Sequence, residues 1–257
     1  MKRLGVNIDH IATLRQVRLE RYPNIIDAAE VCRKRKVAQI TVHLREDRRH
    51  IQDQDVVDLM EWGKLPVNLE ICTSDEMVEI ALKHKPAMVT LVPEKRKELT
   101  TEGGLNLLSY PRRKEVKRQA ERLSKKGIKV SLFLDPDMKL VQATKKIKSV
   151  DAIEFHTGAY CHLLEEVYQT CGSYRVHKGM PRYDEVQEQL LRLKTAAHLA
   201  AATGIKAYAG HGLHTKNLKE IRKIDVLEEY NIGHAIVARA VLVGLDQAIQ
   251  EIQEALE

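Results

Sequence analysis

The stretch Val226-Leu-Glu-Glu-Tyr-Asn231-Ile232-Gly233-His234-Ala235-Ile-Val-Ala-Arg239 decides how this chain is read. An apolar, β-branched run stops at a glycine, and an alanine-rich amphipathic pattern begins at once and continues to Leu256. That is a strand feeding straight into a helix. The first amides of a helix have no internal partner, and a glycine lets a ligand come close to the backbone, so the junction suits an anion such as phosphate. Taken alone it is equally a tight turn with an incidental glycine. Its meaning depends on how many similar junctions precede it.

Working back from there, short β-rich runs alternate with helical patterns along the whole sequence. The predicted strands are 4–9, 39–44, 67–71, 88–92, 129–134, 152–156, 206–210 and 226–232. Helical periodicity falls at 25–35, 53–62, 74–83, 111–125, 138–148, in a long region over 160–203, at 216–222, and after Gly233. Strands separated by helices pair in parallel, and eight such units close into a (β/α)8 barrel, the TIM barrel, here with additional helices. The rival is a doubly wound open sheet. Against it, the first strand runs into Asn7-Ile-Asp9-His10-Ile-Ala-Thr, with no GxGxxG turn and no acid placed for a ribose.

A chain of 257 residues with 44% hydrophobic content can bury one large core, and barrels of this kind commonly reach that size as one domain. The expectation is therefore a single barrel over residues 1–257. Segments 12–24, 93–110 and 161–189 exceed what a minimal barrel needs, and long loops on this scaffold are usually lids or interface elements.

Composition excludes several classes. The four cysteines form no CxxC pair and no zinc spacing, which points to reduced thiols and a cytoplasmic location. Asp9 and His10 interrupt the apolar run a signal peptide would need, and no stretch approaches a membrane span. The 42 basic against 36 acidic residues give a net charge of +6, which favours anionic partners. Only 4% of residues are aromatic, and basic runs such as 33–36 sit on helical patterns that also carry acids. Phosphorylated small molecules therefore fit better than nucleic acid.

The polar residues fall at one end of the predicted strands: Asn7, Asp9 and His10 at the first, His43 and Arg45 at the second, Glu70 at the third. Glu154 and His156 follow at the sixth, His211 at the seventh, and Gly233 with His234 at the eighth. In a barrel these positions ring the carboxyl-terminal mouth, where active sites of this fold lie. His43 and Arg45, two apart, point together if the strand persists. Glu70 sits in a mostly apolar run, where desolvation would raise its pKa into the range useful for acid–base work. The alternative is a buried carboxylate tied up by an arginine or lysine. Asp9 and His10 are neighbours and would face opposite sides of an extended strand, and His211 and His214 flank a probable turn. Neither pair prescribes a ligand set, so no metal site is expected.

These residues also carry a resemblance. Gly5-Val-Asn7-Ile-Asp9-His10 through Arg18, Thr41-Val-His43-Leu-Arg45 through His50, Asn68-Leu-Glu70 and Leu91-Val-Pro-Glu-Lys-Arg96 resemble the pyridoxine 5'-phosphate synthase family. So do Thr100-Thr-Glu-Gly-Gly104, Phe133-Leu-Asp135-Pro, Glu154-Phe-His156-Thr-Gly158, Ala209-Gly-His211-Gly212 and Asn231-Ile-Gly233-His234. The resemblance implies a barrel with extra helices that condenses 1-deoxy-D-xylulose 5-phosphate with 3-amino-2-oxopropyl phosphate. The products are pyridoxine 5'-phosphate, phosphate and water. It implies His43 and Glu70 as proton acceptors and His211 as proton donor. It places Asn7, Arg18, Gly212, Gly233 and His234 at the aminoketone phosphate, and Asp9, His10, Arg45, His50 and Thr100 at the deoxyxylulose phosphate. It further implies a homo-octamer with no metal or organic cofactor.

The chemistry suits those residue types, because addition, dehydration and ring closure move protons repeatedly and two phosphates need two anion sites. Against the family pattern, an apparent helical insertion lies around 161–192, after the sixth strand. Two other readings are an isomerase or aldolase acting on a sugar phosphate, and a non-catalytic phosphosugar sensor that keeps the pocket. A Schiff-base aldolase needs a desolvated lysine at a strand end, and only Lys95 comes near one.

Overall fold

The structure, a computed structural model, describes residues 2–94 and 103–257. The chain begins with β1 (Arg3–Asn7), α1 (Asp9–Gln16), α2 (Ile25–Lys34), β2 (Gln39–His43), α3 (Asp53–Trp62) and β3 (Val67–Ile71). It continues with α4 (Asp75–His84), β4 (Met88–Leu91), α5 (Tyr110–Ser124), β5 (Lys129–Leu134), α6 (Met138–Thr144) and β6 (Ala152–His156). The last third is α7 (Gly158–Cys171), α8 (Tyr183–Ala202), β7 (Lys206–Gly210), α9 (Leu218–Ile221), β8 (Leu227–Ile232), α10 (His234–Val243) and α11 (Leu245–Leu256).

All eight strands pair in parallel in sequence order, and β8 closes on β1, so the sheet is a barrel rather than a doubly wound layer. The strands are buried on both faces, which is why they read as near-continuous apolar runs. Their outer faces pack under helices whose inward residues are small or apolar. Leu193, Ala196, Ala197 and Ala200 of α8 are an example.

The helix ends are fixed by local chemistry. Asn24 Oδ1 accepts the amide of Ile26 at the start of α2, and Asp137 Oδ1 accepts that of Lys139 at α6. Arg15 of α1 makes a two-pronged pair with Asp55 of α3, 2.7 Å on each arm, and Asp55 also accepts the amide of Gln52. This ties the first crossover to the second.

Three expectations need correction. The first strand stops at Asn7, and Asp9 and His10 open α1 instead of prolonging the strand. The reason is local: Asn7 Oδ1 accepts the amide of Asp9 at 3.0 Å, turning the chain, and Ile11 and Ala12 then bury beneath the new helix. The argument that Asp9 and His10 face opposite sides of a strand therefore does not apply. The final helix is also two helices, broken at Gly244, whose φ of 84° no helix accommodates. Last, α6 and α9 are shorter than their periodic patterns, ending at Thr144 and Ile221. The region 160–203 resolves into α7, a connection over 172–182, and α8. Among the described residues no helix is long and apolar enough to cross a membrane.

Candidate active site

His43 and Glu70 are register partners at the ends of β2 and β3, and this neighbour relation puts them side by side at the mouth. Glu70 Oε2 lies 3.9 Å from His43 Nδ1. The Glu70 side chain is 15% exposed and makes no ion pair with an arginine or lysine among the described residues. Burial, with help from the charges of Glu154 and Asp9, holds its pKa well above the carboxylate range. Among the described residues, then, no arginine or lysine ties this carboxylate up. Arg45, only 3% exposed, lies just past the end of β2, and both it and His43 line the same cavity.

On the far wall, Glu154 of β6 accepts a hydrogen bond from Asn231 Nδ2 of β8 at 2.7 Å, and burial pushes its pKa up as well. Gly5 and Gly210 make room for this pair, since a side chain at either would collide with Asn231 or Glu154. His211 follows β7 with φ of 77°, and Gly212 follows it with φ of 80°. The Thr157 hydroxyl holds this turn, reaching the carbonyl oxygens of Gly210 at 2.8 Å and His211 at 2.6 Å. At Gly212 a side chain would also meet Cys161 Cβ at 2.9 Å, so both space and conformation require glycine there. Burial first, and His156 second, depress the His211 pKa to about 4. The His156 ring stands 4.8 Å from that of His211, and its Nδ1 is 3.0 Å from Asp135 Oδ1.

The third wall is the junction at β8 and α10. Gly233 is the residue before the helix, no side chain caps the helix, and Gly233, His234 and Ala235 line the cavity. The amides that open the helix are thus available to an anion. The glycine also leaves room for a neighbouring strand: a Cβ there would meet Asn7 Cβ and Oδ1 at 2.8 Å. Asn7 in turn donates to Asp9 Oδ2 at 2.8 Å, and Asp9 Oδ1 accepts the His43 amide at 2.7 Å. A chain of ring contacts joins the walls, with His43 6.3 Å from His50, His50 6.5 Å from His10, and His10 5.1 Å from His234.

The cavity holds about 520 Å³, room for two small phosphate esters. Its lining includes Asn7, Asp9, His10, His43, Arg45, His50, Glu70, His211, Gly212, Gly233 and His234, so eleven of the thirteen expected site residues converge. Arg18 does not: it is exposed beyond the end of α1, outside the lining. Thr100 lies outside the described residues. Among the described residues no three His, Cys, Asp or Glu side chains are grouped to hold a metal ion. Sequence reasoning assigned no role to Glu94, Asn231 or Asp135, each of which acts through contacts between strands far apart in the chain. A larger hollow of about 870 Å³ lies between the 172–182 connection and the loop after β7, but the acid–base groups are in the smaller one.

A parallel eight-stranded barrel whose carboxyl-terminal mouth gathers histidines, desolvated carboxylates and a free helix start is a barrel enzyme of the acid–base class. Comparison makes this particular. Residues 4–257 match the family described as pyridoxal phosphate biosynthesis protein PdxJ, and the chain belongs to that family. Relatives named pyridoxine 5'-phosphate synthase include one from Aquifex pyrophilus, 44% identical over 252 residues, covering 97% of this chain and 99% of the relative. Another, from Syntrophotalea carbinolica, is 45% identical over 254 residues, covering 99% and 98%.

Among solved structures, a phosphoribosyl anthranilate isomerase from Thermus thermophilus matches with a TM-score of 0.57 at 11% identity, covering 98% of each chain. A 4-hydroxy-2-oxoglutarate aldolase/2-deydro-3-deoxyphosphogluconate aldolase matches with a TM-score of 0.58 at 13% identity, covering 99% and 94%. At such identities these two speak for the fold alone.

Proposed function

We propose that the chain is a pyridoxine 5'-phosphate synthase, condensing 1-deoxy-D-xylulose 5-phosphate with 3-amino-2-oxopropyl phosphate to pyridoxine 5'-phosphate, phosphate and water. The observation that carries the reading is the pairing of His43 with a Glu70 whose pKa is raised by burial, in a cavity that also holds His211. Groups that exchange protons near neutrality suit a reaction of repeated additions and eliminations. His43 and Glu70 act as proton acceptors. His211 is neutral in the empty site, and phosphate dianions entering the cavity raise its proton affinity, so it becomes the donor in the complex.

The start of α10, with Asn7, Gly212 and His234, takes the aminoketone phosphate, and Arg45, His50, Asp9 and His10 take the deoxyxylulose phosphate. Arg18 and Thr100 complete the two sites in this reading. The chain is one barrel unit in which segment 161–192 elaborates the sixth crossover. It works in the cytoplasm as a homo-octamer; the exposed apolar side chains of Leu14 in α1, Val17 and Leu19 just after it, and Val241 and Leu242 in α10 favour self-association. Incubation with both substrates, following ring absorbance and phosphate release together, tests the activity. Absence of both signals refutes it.

A further inference from the structure

Behind His43 lies a carboxylate that the reaction as read above does not employ. Glu94 follows β4 by three residues, and its side chain is 1% exposed. Its Oε1 accepts the amide of Glu46 at 3.0 Å, which fixes the carboxylate against the loop after β2. Oε2 faces His43 Nε2 at 3.7 Å, and Oε1 faces Arg45 Nε at 3.6 Å. On the other side of the same imidazole, Nδ1 faces Glu70 Oε2 at 3.9 Å. One ring thus stands between two carboxylates, one at each nitrogen.

These distances are just outside hydrogen-bonding range, and several of the atoms concerned make no other hydrogen bond. His43 Nε2, Arg45 Nε and Nη2, and Glu94 Oε2 are all buried without a hydrogen-bond partner among the described residues. Buried polar atoms seldom stay unpaired, and catalytic hydrogen bonds often tighten only when the site fills. The remaining groups around the ring are Asp9 of α1, whose Oδ1 accepts the His43 amide, and His50, 6.3 Å away ring to ring.

The two carboxylates differ in charge. Glu70 is desolvated with no arginine or lysine paired to it among the described residues, and its pKa is raised. Burial alone would raise Glu94 as well, but His43 and Arg45 outweigh it and leave its pKa lowered. Of the two, Glu94 is the carboxylate stabilised as an anion, it faces Nε2, and an anion favours the N–H that points at it.

We propose that Glu94 is a positioning residue for His43: it holds the ring as the Nε2–H tautomer and leaves the Nδ1 lone pair as the base beside Glu70. The inference rests on the reading of His43 as a proton acceptor. Nδ1 takes a proton from a substrate C–H or N–H, and the electron pair of that bond stays on the substrate. The imidazolium directs Nε2–H at Glu94. Nδ1 then passes the proton to a departing hydroxyl, which leaves as water, while Glu94 remains a carboxylate throughout. The arrangement follows the logic of a carboxylate behind a catalytic histidine, which fixes tautomer and orientation without itself changing protonation.

Glu94→Gln tests it, since the amide oxygen can still accept the Glu46 amide and Arg45 keeps Asp47 at 3.6 Å. Turnover should fall about a hundredfold. KM for the sugar phosphate should stay level or drop, because Arg45 loses a competing anion. Glu94→Asp, which keeps the charge, should recover part of the loss. Solid-state ¹⁵N spectra of histidine-labelled, substrate-free protein, with His43 assigned through His43→Gln, should show the Nε2–H tautomer in the parent and a mixture in Glu94→Gln. An Nδ1–H tautomer in the parent, or a spectrum indifferent to Glu94→Gln, overturns the proposal. A raised KM at unchanged kcat also overturns it, making Glu94 part of the phosphate site. The spectra need no substrate: a parent that shows the Nε2–H tautomer but makes no product would sink the reaction assignment while leaving the role of Glu94 standing. If Glu94→Gln does not fold, the parent spectrum and Glu94→Asp still decide.

Discussion

Glu70→Gln should cost activity and gain stability, with a pH signature that identifies the cause. The substitution keeps the side chain's shape in a site where it is 15% exposed, and it removes a carboxyl that no cation balances among the described residues. Loss of one acid–base group should lower turnover by at least about a hundredfold. Burial raises the Glu70 pKa above its value in the unfolded chain, so the native state binds more protons than the unfolded state once pH passes the ordinary carboxyl range. A raised carboxyl is harmless to stability below the unfolded pKa of about 4.3 and increasingly costly as pH climbs toward its folded value.

The slope of that cost is at most about 1.4 kcal/mol per pH unit. As pH rises above the ordinary carboxyl range the variant should therefore gain progressively on the parent, with the coupling to Glu154 spreading the change over pH. Urea unfolding of both proteins across pH 4 to 8, with steady-state kinetics at pH 7.5, measures both effects. A variant equally destabilised at every pH would mean that Glu70 is held by a favourable contact. Unchanged turnover would remove it from the chemistry.

Gly233→Ala should weaken binding of the aminoketone phosphate by about 1–3 kcal/mol, because the new Cβ displaces Asn7 and with it the hydrogen bonds to Asp9. Calorimetric titration of each substrate should show a smaller loss for the deoxyxylulose phosphate, and equal losses would mean general damage to the mouth. His211 is neutral in the folded site with its pKa near 4, while the unfolded chain takes a proton near 6.5, so its stabilising share is complete above pH 6.5 and is lost as pH falls toward 4. Relative to His211→Gln, the parent should lose about 3 kcal/mol between pH 7 and pH 4 in denaturant titrations, and a constant difference would refute the shift. Asp55→Asn should destabilise by about 3 kcal/mol, since it leaves Arg15 half-buried without its two-armed partner. A fall in Tm of under a degree would show the pair to be ornamental.

The sequence by itself determined the architecture and the side of the barrel on which the chemistry lies. Strand and helix periods are local properties, so eight buried runs alternating with amphipathic patterns are readable without contacts, and the residues at the strand ends must ring one mouth once the sheet is parallel. The family motifs added identities to the positions. What only the tertiary structure decided are relations between residues distant in the chain. The register of β2 against β3 sets Glu70 beside His43, and closure of β8 onto β1 gives Gly233 its neighbour Asn7. Glu94, past a proline and outside any periodic element, becomes significant only because the end of β4 passes behind His43 and Arg45. The turn at Asn7 and Asp9 was missed because a side-chain oxygen, not the hydrophobic pattern, bends the chain there. The direction of each pKa shift likewise depends on which charges face a group after folding, and the desolvation of Glu70 is a property of the packed barrel mouth rather than of the run Val67–Ile71.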